Sequence, residues 1–400
     1  MRGPSRHYHF LRELSRRHEI TLMSLTRTPV TTEAMEEIRT YTEDVVTFGT
    51  HAAAPKGSMP QLTKFLGSRF HNELEVQRAV SDMKRAAHIL LRSEPFDVVF
   101  FHGKHLFPVI EDLHLPVVVD FCDATSMRIQ TKMQFAPEWY RPFLWARRRQ
   151  VRGLEDRLVR KTPHLAFISP RDRDAVLPSG RPAAVVPNGV DHAYWRRRPG
   201  VKPSNNTIVF TGVMDYAPND DAALFLLAEI VPFLRRAIPE LEVLIVGRNP
   251  SERLKARAST IPGVNVTGFV EDMRPWYERA AVCVAPVRYA SGMQNKVLEA
   301  LAMRVPVVAT PVVADGVRMD DAPAPLCTAR DPLEFAETTV RLLRNAAERQ
   351  RLALEGRRFV EKHFSWRRSA AKLEQMCLSA AGLAPDFEYH RRPSTFKEVA

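Results

Sequence analysis

Short, almost uninterrupted apolar runs alternate with longer amphipathic stretches along most of this chain. "FDVVFFHG" (96–103), "LPVVVDFCD" (115–123), "HLAFIS" (164–169) and "AAVVPNGV" (183–190) are rich in β-branched residues and show no strict polar alternation. Strands of a parallel sheet covered on both faces have this pattern, because neither side meets water. "HEITLMSLT" (18–26) reads as a further strand after an amphipathic helix in "HYHFLRELSRR", and 76–94 reads as a helix. The pattern then restarts. "NTIVFTGV" (206–213), "LEVLIVGR" (241–248), "VNVTGFV" (264–270), "AVCVAPV" (281–287) and "VPVVAT" (305–310) predict strands. Helices are predicted between them, including 219–237 with its Asn/Asp start signal, and two more fill 331–364.

Two successive strand–helix series predict two doubly wound α/β domains. The break falls in the Pro-, Gly- and Asn-rich stretch 187–206. This places one domain at 1–187, a second at 188–362, a helix at 363–383 expected to return to the first domain, and a loosely ordered tail at 384–400. A doubly wound domain normally opens on a strand, then a turn, then a helix. "MRGPSRHYHF" supplies the turn and helix with no strand ahead of them, so the first strand is expected to be missing or to lie upstream. Loss of a central strand would leave two ladder edges unpaired.

Apolar residues at 45% and charged residues at 26% are ordinary for a soluble globular protein. No apolar run approaches the ~20 residues that span a bilayer. The first ten residues hold no signal-peptide core. Cys122, Cys283, Cys327 and Cys377 are widely spaced and form no CxxC pair. They suit a reduced compartment, hence a cytoplasmic location, and argue against a zinc site or a disulfide frame. The net charge of +12 changes the picture more, because it invites an anionic partner. The charge is uneven: "RPFLWARRRQVRGLEDRLVRK" (141–161) mixes Arg147, Arg148, Arg149 and other bases with large apolar residues. Two readings stay open for it, a solvated helix face or a patch that touches anionic lipid headgroups on the inner face of the plasma membrane.

In open parallel sheets, ligands sit beyond the carboxyl ends of the strands. One such loop opens "SGMQNKVLEALAMRVPVVAT" (291–310), where Gly292 leads into a helix predicted to start near Met293. A helix start presents unpaired N–H groups and a positive dipole end, and a glycine there lets a phosphate approach closely. Lys296 adds a full charge. Glu299 lies three residues beyond Lys296 and four beyond Asn295, so the three share a face. A carboxylate repels phosphate and suits a hydroxyl pair such as a ribose. Diphosphate at the tip and ribose one turn along describe a nucleoside diphosphate. A surface Lys–Glu pair on an ordinary amphipathic helix explains the spacing equally well.

Taken with "VVPNGVD" (185–191), "FTGVMDYAPNDDA" (210–222), "LIVGRNP" (244–250) and "GFVEDMRPWYERAAVCVAPV" (268–287), this stretch resembles the family 4 (group 1) retaining glycosyltransferases of GT-B fold. It looks most similar to the sugar transferases associated with exosortase/PEP-CTERM exopolysaccharide systems. "GPSRHYHFLRELSRRHEITLMSLT" resembles their N-terminal helix and second strand. The likeness covers most of 3–375 and is stronger in the second half. It implies two Rossmann-like domains facing across a cleft, hinged near Asn188 and Gly189. It also implies transfer of a sugar from a nucleotide diphosphate sugar to a hydroxyl acceptor with retention, without a metal or any cofactor beyond that co-substrate. By matching position, Glu299 is the second glutamate of the family's E-x7-E motif and holds the donor ribose. Lys296 with Gly292, Met293, Gln294 and Asn295 matches the diphosphate cradle, with Arg288 as a further candidate. Gly212, Arg248 and Val270 match the loops that meet the phosphates, the nucleotide and the base.

Three departures stand out. The first glutamate of E-x7-E is Ser291, which leaves the choice of sugar open. "GVMDYAPND" lacks the bases usual early in the donor domain, which shifts phosphate binding toward Lys296 and Arg288. The glycine usual after the helix is Arg304, at a position that often needs left-handed backbone: either the side chain costs on the order of 1 kcal/mol there, or the turn differs. On the acceptor side, Asp120, Asp123 and His102 stand at strand ends and are the candidates for acceptor contact or base. The D-x-D of "RDRD" (171–174) opens a helix after Ser169 and Pro170, and is read as dipole compensation, with no metal. The expected partners are a nucleotide-sugar donor, a hydroxyl acceptor such as a lipid-linked glycan, and an anionic membrane surface. A nucleotide-sugar epimerase and a binding or scaffold subunit are the rival readings. A dehydrogenase is disfavoured because no G-x-G-x-x-G follows a strand. A nucleic-acid partner accounts for the charge but not for 291–310.

Overall fold

The computed structural model describes residues 6–26, 28–50, 61–178, 181 and 183–384, with side chains in the helix that begins at Gln61 described from residue 73. The tail expected beyond 384 and the opening residues 1–5 lie outside the described residues. Contacts divide the chain into two compact units. One holds the described residues up to Asp120, Arg160–His164 and those from Ala370 on; the other holds Phe121–Val159 and Leu165–Ser369.

The strands of the first unit are β1 (Thr21–Thr26), β2 (Asp44–Gly49), β3 (Val99–His102) and β4 (Val117–Phe121), which ends at the unit's boundary. β1 pairs β2 in parallel, from Thr21 opposite Asp44 to Thr26 opposite Gly49. β3 pairs β4 in parallel, from Val99 opposite Val117 to His102 opposite Asp120. β1 and β2 form a two-stranded sheet of their own, so these strands make two ladders rather than one. β4 is buried along its whole length, as its run of apolar residues predicts. Neither β2 nor the Thr32–Arg39 helix is readable from apolar runs: β2 is exposed or half-buried at every position and carries no continuous stripe. The helix Trp366–Ala380 contributes Glu374 to this unit, where His18 lies 2.7 Å from its carboxylate and Arg17 pairs with it.

The second unit contains β5 (Leu165–Phe167) paired with β6 (Ala184–Val185), and a six-stranded parallel sheet. The strands of that sheet are β7 (Ser204–Thr211), β8 (Glu242–Val246), β9 (Val264–Val266), β10 (Ala280–Ala285), β11 (Val307–Ala309) and β12 (Cys327–Thr328). Their order is β12-β11-β10-β7-β8-β9. β10 is fully buried. The expected helix 219–237 is present but interrupted. It runs as Ala217–Phe225, a wider π turn over Leu226–Ile230, and Val231–Ala237. Pro232 cannot donate its backbone hydrogen bond, and the wide turn just before it accommodates that loss. The final pair, Pro332–Arg344 and Ala346–His363, is capped by Asp331 and Asn345. Among the described residues no helix is long and apolar enough to cross a membrane.

Candidate active site

The strand order of the six-stranded sheet fixes where a ligand can bind. From β7 the chain moves outward through β8 and β9, then returns to form β10 on the opposite flank of β7. Loops leaving β7 and β10 therefore diverge and open a crevice at the carboxyl ends, the topological switch point of an open α/β sheet. Gly212 follows β7, Gly247 and Arg248 follow β8, Val270 follows β9, and 286–294 follow β10. All the donor-side candidates thus gather on the carboxyl-end loops of one sheet.

The loops after β7 and β8 are locked together. The Gly212 N–H donates to the Val246 carbonyl at 3.0 Å, and the Met214 N–H to the Arg248 carbonyl at 2.9 Å. A Cβ on Gly247, whose φ is +148°, would lie 1.7 Å from the Gly212 carbonyl oxygen, so only glycine permits this approach. Below the loop, Asn219 donates through Nδ2 to the Val213 carbonyl at 2.9 Å and accepts at Oδ1 from Lys296 Nζ at 2.5 Å. The Lys296 ammonium also lies over the Phe210 ring, 4.4 Å from its centroid. Burial lowers the Lys296 pKa to about 7, against the opposing pull of Cys283 and Glu299.

The helix that carries Lys296 and Glu299 is Asn295–Ala302, two residues shorter at its start than expected, with Gln294 at the N-cap and no side-chain capping bond. Its apolar face, Val297, Leu298 and Leu301, is buried against the sheet core. Glu299 is half-buried. Its carboxylate is 3.4 Å from the Tyr277 hydroxyl, which is itself 2.8 Å from Thr211 Oγ1 and 3.2 Å from the Lys296 carbonyl. Burial pushes the Glu299 pKa up to about 7, opposed by Tyr277 and Lys296. The helix ends in a Schellman turn: Val305 N–H bonds to Ala300 O at 2.9 Å and Arg304 N–H to Leu301 O at 3.1 Å. Arg304 sits there at φ +56°, the left-handed backbone expected of this position.

Gly292 is gripped on both sides. Its φ is +66°, and a Cβ would lie 2.9 Å from the Cys122 carbonyl oxygen. Its N–H donates to Asp172 Oδ1 at 2.9 Å, and its carbonyl accepts from Arg171 Nη2 at 2.8 Å. Asp172 is fully buried and also accepts the Ala124 N–H at 2.7 Å. The acidic residue of "RDRD" read as dipole compensation is thus also the clamp of the glycine turn. The signal for it was the Ser169 N-cap, whose side chain fixes Asp172 at the helix start. Next to this clamp, Ser291 Oγ donates to Asp123 Oδ2 at 2.9 Å and Thr125 Oγ1 donates to Asp123 Oδ1 at 2.7 Å. The Arg128 guanidinium is 3.8 Å from Asp123 and donates to the Tyr216 hydroxyl at 3.2 Å. Arg128, Tyr216, Asn219 and Tyr277 escaped the sequence reading, because no spacing ties such distant positions together.

The other candidates are placed differently. Arg288 is bound to Asp221 through two contacts of 2.5 and 3.0 Å and sits between the Phe135 and Phe225 rings. Arg248 is exposed, and Val270 is half-buried beside the strongly exposed Phe269. Met293 and Gln294 are buried, while Asn295 accepts from Asn188 Nδ2 at 2.8 Å. In the first unit, Asp120 is buried and both its oxygens accept from Arg6 at 2.8 Å. Burial would raise its pKa, but the Arg6 charge and the His7 and Arg6 hydrogen bonds hold it well below the usual carboxylate range. His102 stacks on His7 with ring centroids 4.0 Å apart, and desolvation, helped by His7, brings its pKa down to about 4.

Residues 205–345 match the family model of the glycosyl transferases group 1. That match spans the six-stranded sheet and every donor-side loop just described. Over these residues, about a third of its length, the chain is similar to the group 1 glycosyltransferases. The chain is 27% identical over 194 residues to a phosphatidyl-myo-inositol mannosyltransferase of Mycobacterium leprae, covering 46% of this chain and 50% of that protein. It is 32% identical over 160 residues to the protein of the same name from Mycolicibacterium smegmatis, covering 36% and 41%. The chain spans about half the length, or less, of these curated relatives. Among solved structures, Anabaena HepE in complex with UDP and glucose superposes with a TM-score of 0.64 at 13% identity, covering 94% of this chain and 97% of that one. Sucrose-phosphate synthase from Thermosynechococcus elongatus gives 0.63 at 17%, covering 90% and 98%. At these identities the likeness shows the fold alone: an α/β chain with parallel sheets, of GT-B type.

Proposed function

We propose that the protein moves a sugar from a nucleoside diphosphate sugar to a hydroxyl acceptor, with retention at the anomeric carbon, in the synthesis of an exopolysaccharide or another cell-surface glycan. One observation carries the reading: Gly212, Gly292, Lys296 and Glu299 converge at the switch point of one parallel sheet. The donor diphosphate rests on the amides at the start of the Asn295–Ala302 helix, where Gly292 leaves room, and Lys296 stands behind it. The ribose hydroxyls bond to Glu299, whose partner among the described residues is the Tyr277 hydroxyl. As the bond from the anomeric carbon to the phosphate oxygen breaks, negative charge grows on that oxygen. The helix start and the protonated Lys296 stabilise it by fixed charge in a water-poor site. Arg288 is already neutralised by Asp221, so it adds to this field only if that pair opens.

Asp123 is the acceptor-side carboxylate this reading keeps. Ser291 and Thr125 orient it beside the glycine turn, where it can accept the proton of an incoming hydroxyl. Asp120 is buried and bound through both oxygens to the Arg6 guanidinium, which holds its proton affinity too low for that task. Retention, the exopolysaccharide role and action at the cytoplasmic face rest on the motif resemblance. The curated relatives act, by name, on a phosphatidylinositol, which favours a lipid-linked acceptor. The neighbour crystallised with UDP makes UDP-sugars the first donors to try.

The test is a screen of UDP-, GDP- and dTDP-sugars with purified protein, with and without polyprenyl- and glycerolipid-linked acceptors. Release of nucleoside diphosphate with one donor, coupled to acceptor glycosylation, is the expected result. An isomer of the donor sugar formed without acceptor would make the protein an epimerase. Binding of no nucleotide at all would make it a scaffold.

A further inference from the structure

The helix Arg141–Lys161 is held in its unit by one face only. Leu144, Val151 and Leu158 are buried, and Glu155, also buried, accepts from Ser126 Oγ at 2.5 Å. The rest of its circumference, with the turn before it, carries an unusual combination. Trp139, just before the helix, is 80% exposed, Trp145 is 52% exposed and Phe143 is 49% exposed. Arg147 and Arg149 are exposed, and Arg148 between them is half-buried beside Leu144 and Val151, with its Nε out of water.

The three arginines are not compensated by acid. Arg147 donates to Gln150 and Arg149 lies 5.8 Å from the centroid of Trp145. The nearby carboxylates are taken elsewhere: Glu138 pairs with Arg141, Asp156 with Arg152, and Glu155 is buried. Among the described residues, none of the three arginines forms an ion pair. Trp145, Arg148, Arg149 and Arg152 also line a shallow, open surface recess, together with Gly153 and Asp156. Three adjacent cations repel one another, and exposed indole and phenyl rings gain by leaving water. An anionic bilayer relieves both at once. Its headgroups neutralise the arginines, and its interface takes aromatic rings that have one apolar body and, for Trp, one polar handle.

We propose that this face docks the protein on an anionic lipid surface, with Trp139, Phe143 and Trp145 in the headgroup–acyl boundary and Arg147, Arg148 and Arg149 on lipid phosphates. The inference deepens the functional reading above by naming the surface that presents the acceptor, and it rests on that reading only for this purpose.

The experiment is flotation of the full chain with phosphatidylcholine vesicles, pure or doped with phosphatidylglycerol. The wild type is expected to float with the doped vesicles, to be released by raised ionic strength, and to ignore the pure ones. The Arg147→Gln/Arg148→Gln/Arg149→Gln variant should lose at least about tenfold in apparent affinity. The matching Arg→Lys variant should keep it, because a bilayer reads charge, whereas a protein partner built on bidentate arginine contacts would not. Trp139→Ala/Trp145→Ala should weaken binding, and tryptophan fluorescence of the wild type should shift to the blue on adding doped vesicles. Equal flotation of wild type and the Gln variant overturns the proposal. So does loss of binding in the Lys variant, or preference for single-stranded RNA over doped vesicles. Nucleotide binding in solution should be unchanged in the Gln variant. If no variant and no wild type binds nucleotide yet flotation behaves as stated, the glycosyltransferase reading fails while the docking face stands.

Discussion

Asp120 in the first unit and Glu299 in the second are both carboxylates drawn away from water, and their surroundings treat them in opposite ways. Asp120 receives two hydrogen bonds from Arg6, which hold it ionised. Glu299 receives one long contact from Tyr277 and is pushed up to about 7 by burial. The nearby cation does not rescue it, because Lys296 is turned toward Asn219 and Phe210 and is itself lowered to about 7. A buried ion whose needs are met by its own chain stabilises the fold. A pair left short of partners on the open end of a sheet is poised for a ligand that supplies them.

The comparison breaks first at Arg6. Arg6→Ala leaves Asp120 buried without its cation and should cost about 3–5 kcal/mol, read by urea unfolding. Restoring an uncharged match with Arg6→Met/Asp120→Leu should recover most of that. A single-variant cost within experimental error would remove the contrast. The pair also gives a pH signature. Asp120 has its folded pKa depressed below 3.8, so its contribution is present above pH 4 and disappears as the pH falls through the folded value.

Next comes Glu299→Ala. Turnover should fall at least about tenfold, the cost of one lost ribose contact of ~1.4 kcal/mol or more, while stability in urea is unchanged or higher. Near-normal transfer by this variant would sink the ribose assignment. A third effect is a pH trend. Burial lowers the Lys296 pKa to about 7, and an ammonium that meets a diphosphate should do so best when protonated. Donor affinity should therefore be highest below pH 7 and weaken as the pH rises, by up to about tenfold per unit. Calorimetry in buffers of different ionisation enthalpy should show proton uptake on binding near pH 8. Flat affinity from pH 6 to 9 would mean the ammonium does not meet the phosphates. The smallest effect is Arg304→Gly, which should add about 1 kcal/mol of stability by relieving left-handed strain and leave transfer unchanged.

The strand series and the loops at its carboxyl ends were legible because parallel strands buried on both faces write themselves as continuous apolar runs, and glycine turns follow them. Arg304 stands where the resembling sequences usually carry glycine, and of the two expectations there, a left-handed residue or a different turn, the left-handed one is observed. β2 was invisible because a half-exposed strand has no such run. The Asp172 clamp on Gly292 and the Ser291–Asp123 bond join residues about 120 and 168 positions apart, a relation no local pattern encodes. Lys296 lies in the first turn of its helix, as its spacing predicts, but its contacts with Asn219 and Phe210 depend on how the β7 loop folds back over the helix.

The most direct test of the account is a calorimetric titration of wild type and Glu299→Gln with UDP, GDP and inorganic pyrophosphate. The account predicts that wild type binds one of the two nucleotides. If the glutamate holds the ribose and the helix start the phosphates, Glu299→Gln should weaken that nucleotide at least about tenfold and leave pyrophosphate unchanged. Equal nucleotide affinity in the two proteins, or no nucleotide binding by the wild type, would contradict it.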